Sequence, residues 1–131
     1  MDLDKVINAY KVILSNASVE SYKHNKGMSK LMTWFFKNPE TKSEGLQFLE
    51  NLDTESFYHL LSAWDIGRSI LTAPDCLKDD IRLSGSKEQL MKENVKLLKN
   101  NLPNQNEAAI YFKDKDCIFV KQCLMAYQKE F

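Results

Sequence analysis

Glycine, proline, histidine and cysteine are all scarce in this 131-residue chain, at four, three, two and three residues respectively. The glycines stand at positions 27, 45, 67 and 85, never in a Gly-x-x-x-x-Gly-Lys or Gly-x-Gly-x-x-Gly loop whose backbone amides cradle phosphate, so nucleotide hydrolysis by those routes is excluded. The two histidines, His24 and His59, are far apart, and neither His-x-x-x-His nor Cys-x-x-Cys spacing occurs; no metal site is expected. Cys76, Cys117 and Cys123 are odd in number and loosely spaced, and Cys117 and Cys123 would stand about 120° apart on a helix. They read as reduced thiols in a core rather than as a disulfide framework. No apolar run approaches the roughly 18 residues of a membrane span, and the start MDLDKVINAY carries acids where a secretory leader is basic. The expected location is cytoplasmic, with no membrane contact.

Charge of one sign is missing too. Eighteen basic and eighteen acidic residues cancel, which argues against a dedicated nucleic-acid or membrane-surface protein. Arginine is rare, two against sixteen lysines, a bias that with frequent asparagine suits an AT-rich genome such as many bacteria and phages have. The balance hides an asymmetry: residues 21–37 hold four lysines and no acid, whereas residues 38–65 hold six acids and one lysine. The length fits a single domain, and 44% hydrophobic with 27% charged residues suits a folded chain.

What is present is helical periodicity. Leu3, Val6, Ile7, Tyr10, Ile13 and Leu14 recur at the 3,4 spacing of one helical face, with Asp2 and Asp4 favouring its N-terminal dipole. A short turn over 18–23 and a break at Gly27 are expected next, then a helix over about 28–37 stopped by Asn38-Pro39. Thr41 and Glu44 form a capping box for a short third helix bearing Leu46, Phe48, Leu49 and Leu52. The fourth helix starts near Asp53 or Thr54, carries Phe57, Leu60, Leu61 and Trp64, and stops before Pro74. Ile66 and Ile70 project from its other side, so beyond Gly67 it passes between neighbours, while Arg68 falls on the core stripe and needs Asp65 as a partner. Residues 75–85 read as a loop or short turn. Ser86 and Gln89 cap a fifth helix over about 87–101. Cys117, Val120, Leu124, Tyr127 and Phe131 make a helical stripe, giving a last helix over 115–129, although the turn-like KDKD between AAIYF and CIFVK leaves a hairpin around 108–121 as the alternative. The expected fold is all-α, a compact bundle of five to six helices over residues 1–131, with a small C-terminal hairpin the α+β alternative.

The segment MSKLMTWFFK, residues 28–37, poses the sharpest functional question. Successive helical residues point about 100° apart, so if Met28 faces the core then Leu31, Met32 and Phe35 lie within roughly 60° of it and Trp34 is thrown about 120° aside. Lys23, Lys26, Lys30 and Lys37 share that side. Trp34 therefore fills a crevice against a neighbouring helix or stands on a basic surface where a partner buries it. Cations interleaved with a stacking surface also suit a nucleic-acid strand, but the zero net charge and the absence of arginine from the stripe count against that.

Catalytic constellations are short of parts. Glu55 and His59 are four apart and could act as a base with its orienting carboxylate, yet they stand on the polar side of their helix with no nucleophile at hand. Neither enzyme activity nor a cofactor is expected. In size and helical class the chain is similar to small bacterial immunity proteins and phage-encoded inhibitors, an analogy of fold that no motif carries. The expected function is that of a non-catalytic protein-interaction protein, an inhibitor, immunity-type or adaptor protein. It would bind another protein through the basic face of Lys23, Lys26, Lys30, Trp34 and Lys37 or the acidic face of Glu44, Glu50, Asp53 and Glu55. A nucleic-acid-associated regulator using the Lys23–Lys37 stripe is the second reading, and a small enzyme with Glu55, His59 and Arg68 in a cleft the third.

Overall fold

The computed structural model describes residues 2–27 and 43–131, without side chains for 18–27. Among the described residues there are seven α-helices and no strand. They are α1 (Leu3–Gly27), α2 (Glu44–Asn51), α3 (Thr54–Thr72), α4 (Pro74–Ser84), α5 (Lys87–Asn101), α6 (Gln105–Lys113) and α7 (Cys117–Glu130).

Short polar side chains start most of them. Ser43, Asp53, Ser86, Asn104 and Asp116 each accept a hydrogen bond from an amide of the following turn, satisfying donors that the helix itself leaves free. Four expectations are corrected. First, α1 runs without the turn placed at 18–23. Second, the cap of α2 is Ser43, with Leu46 N donating to its hydroxyl at 3.2 Å, rather than Thr41, which lies outside the described residues. Third, residues 75–85 are not a loop: Pro74 opens α4 at a position where its missing N–H costs nothing, Leu77 and Ile81 give the helix an inner face, and Gly85 ends it at φ 106°. Fourth, the alternative of a hairpin around 108–121 gives way to a pair of helices, the second of them the last helix expected over 115–129. Ala108, Ala109 and Phe112 are buried at helical spacing, and Asp116 caps α7. The count is therefore seven described helices instead of five to six, within the expected all-α class.

The long α3 is the axis of the fold and packs against α1, α4, α5, α6 and α7. That is the environment expected of a helix apolar on two sides: Phe57, Leu60, Leu61 and Trp64 are buried with Ile7, Tyr10 and Leu14 of α1, Leu49 of α2, Phe112 of α6, and Val120, Cys123 and Leu124 of α7. Leu3 and Leu98 pack on this core from its edge, and Leu31 and Phe35 lie outside the described residues. Tyr10 stacks on Phe48 with ring centres 5.8 Å apart and leans on Phe112, whose ring meets Trp64 edge-on at 5.4 Å. Gln105 donates to the carbonyls of Leu49 and Leu52, closing the end of α2, and the Tyr58 hydroxyl donates to the carbonyl of Leu102. α1 lies antiparallel to α7: Lys11 and Asn8 both meet Gln128, and Lys121 donates to the Ser15 hydroxyl at 2.6 Å.

Candidate functional site

The acidic residues marked in the sequence are largely committed to holding the fold. Asp53 caps α3, and hydrogen bonds from the Ser56 hydroxyl and amide hold its carboxyl below the usual aspartate range. Glu55 pairs with Lys99 of α5, and that contact lowers its carboxyl likewise. Glu44 is exposed in the first turn of α2 and Glu50 is half-buried on the same short helix. Six residues along a helix puts these two about 120° apart, so Glu44 and Glu50 do not share one face of α2.

The third reading loses its cleft. His59 Nδ1 lies 2.7 Å from the backbone carbonyl of Glu55, which only accepts, so this nitrogen carries the proton, and the Glu55 carboxylate is farther off at 3.9 Å. Arg68 lies thirteen residues beyond Glu55 on one uninterrupted helix, a rise of about 20 Å. The three do not meet. Arg68 is also not in the core: its side chain is 46% exposed, pairs with Asp65 at 2.5 Å as the spacing foretold, and lies over the Trp64 ring at 4.9 Å. At the preceding position, Gly67 lets α3 approach α7 so closely that an added Cβ would overlap the Cys123 backbone. Among the described residues no group of three metal-ligating side chains converges. Cys123 is buried, which pushes its thiol up, and Cys117 half-buried, but Cys76 is exposed on α4 rather than in a core.

Lys23 and Lys26 stand on the last turns of the α1 backbone, while Lys30, Trp34 and Lys37 lie outside the described residues, as does the helix expected over 28–37.

The structure instead offers a surface that the sequence reading passed over. Between the end of α3, the start of α4 and the second half of α7 runs a groove of about 850 Å³, lined by Ile70, Leu71, Pro74, Met125 and Ala126, with Gln122, Lys129 and Glu130 of α7 as its polar members. Leu71 is 49% and Met125 51% exposed. Ile118, also exposed, precedes Met125 by seven residues on the same side of α7, with the polar Lys121 and Gln122 between them. Apolar side chains of this size gathered along one groove mark a binding surface more often than scattered exposed leucines do, and methionine adapts its shape to what it meets. The signal was there in part: Ile70 was placed opposite Phe57, and Ile118 with Met125 forms a second stripe on α7 beside the buried one.

Among the described residues no helix is long and apolar enough to cross a membrane. These features define an all-helical protein with an open apolar groove. No family model, curated protein or solved structure matches the chain.

Proposed function

We propose that this is a non-catalytic protein-interaction protein, an inhibitor, immunity-type or adaptor protein, and that its partner seats apolar side chains in the α3–α4–α7 groove. The observation that carries the reading is the half-exposure of Leu71 and Met125 in a groove they share with Ile70, Pro74 and Ala126, which removal from water by a partner would turn into binding energy. The acidic face contributes less than its sequence suggested, because Asp53 and Glu55 already have intramolecular partners. The basic stripe around Trp34 stays part of the proposal as a second contact, and a nucleic acid is the alternative occupant of that stripe.

The test is capture from the native host with mass spectrometry, using the native chain beside the double variant Leu71→Ser with Met125→Ser. A protein retained by the native chain and lost by the variant, with the thermal midpoint little changed, is the expected result. Equal capture by both chains overturns the groove as the site. Binding to nucleic acid that weakens uniformly in Lys26→Gln with Lys30→Gln, with a flatter salt dependence, would favour the alternative.

A further inference from the structure

The hairpin of α4 and α5 carries a second groove, of about 290 Å³, on a surface apart from the first. Leu83 of α4 and Leu97 of α5 are 79% and 55% exposed, and half-buried Leu90 lies between them. Leu90 and Leu97 are seven residues apart and share one line of α5. The charged side chains lining this groove are both acidic: Asp80 on the α4 rim and Glu93 on the α5 rim. Glu93 accepts from the Ser84 hydroxyl at 2.7 Å and from Gln89 at 3.3 Å, neutral donors that orient its carboxylate and leave the charge in place. Lys92 and Lys96 of α5 are not among the residues lining the groove.

We propose that this groove binds a basic amphipathic helix of a partner protein. The two packed helices leave a furrow into which the ridge of a third helix fits, and its aliphatic side chains at i, i+3 and i+7 would drop among Leu83, Leu90 and Leu97. Lysine or arginine on either flank of that helix would meet Asp80 and Glu93. An added strand finds no sheet edge among the described residues. A second copy pairing through the same face would bring four carboxylates, two from each copy, into one interface with no cation from the groove lining to balance them. The proposal shares with the preceding section only the reading of the chain as a binding protein, and it uses different residues.

The probe is a fluorescein-labelled leucine–lysine helical peptide of about five turns, roughly 18 residues, compared by anisotropy with the same peptide carrying glutamate for lysine. The lysine peptide should bind and the glutamate peptide should not. Affinity should fall about tenfold or more in Leu83→Ser and in Asp80→Lys with Glu93→Lys, and it should weaken with salt. Leu71→Ser with Met125→Ser should leave it unchanged, so the two grooves are tested separately. Because Leu83 is almost fully exposed, its serine variant should melt as the native chain does. Equal binding of both peptides, or a natively folded Leu83→Ser chain that binds undiminished, overturns the proposal. So does sedimentation showing self-association that Leu83→Ser abolishes, which would give the face to a second copy.

Discussion

A side chain added at position 67 would place its Cβ 1.8 Å from the carbonyl oxygen of Cys123, on backbone that has no rotamer to move aside. Gly67→Ala gains about 1 kcal/mol of helix propensity but must part α3 from α7, an overpacking that costs about 3 kcal/mol or more. The substitution should therefore lower the urea midpoint clearly; a stability equal to the native chain would show that the helices do not touch there. Gly45 is the useful contrast. Its added Cβ would meet the Lys113 side chain at 2.9 Å, and a flexible lysine end swings away. Nothing in the composition distinguishes these two glycines, since both sit in helices, and only the identity of the opposing atoms decides which one is indispensable. Arg68 teaches the same lesson from the next position. Its pairing with Asp65 was legible from spacing alone, but its exposure, 46%, was not, since the helical wheel put it in line with Phe57, Leu61 and Trp64.

At the level of elements, start signals were the most legible feature because a cap is a local interaction. Asp53 and Ser86 mark α3 and α5 where the sequence puts them. α4 escaped notice because its apolar face is thin, Leu77 and Ile81 among charged neighbours, although Pro74 and Gly85 bracket it as a helix start and stop. The C-terminal hairpin alternative failed because a turn-like KDKD serves equally to join two helices, and Ala108 with Phe112 held the deciding period. The grooves were the least legible, since the half-exposure of Leu71 and Met125 depends on where neighbouring helices stop rather than on periodicity. The Asp53 cap yields an element-scale prediction. Its carboxyl is held low in the folded state, so it stabilises the fold above the ordinary aspartate value, about 4, and that contribution is lost as the pH falls through the lower folded value. Glu55 acts in the same direction. The melting temperature should fall on acidification from about pH 5 to about pH 3, and Asp53→Asn, which still caps but does not titrate, should fall less steeply. Superimposable curves would show that the cap contributes nothing to acid stability.

Across the whole molecule, the first and last described helices meet in one cluster, with α3 between them. Ile7 of α1 and Leu124 of α7 are both fully buried there, and both ends of α1's polar seam are tied to α7 through Lys11–Gln128 and Lys121–Ser15. No helix of such a set keeps its apolar face covered once its neighbours leave, so loss of any one exposes the rest. Truncation at either end should therefore act on the same equilibrium. Ile7→Ala and Leu124→Ala should each cost about 2–5 kcal/mol, shifting one denaturant transition without changing its slope. That transition should be the same whether followed by far-UV circular dichroism or by the near-UV signal of the aromatic side chains. If Ile7→Ala instead splits the curve, with α3 and α7 surviving after α1 has melted, the described helices do not form a single cooperative unit. The N-terminal helix would then be a separable element docked on the remainder.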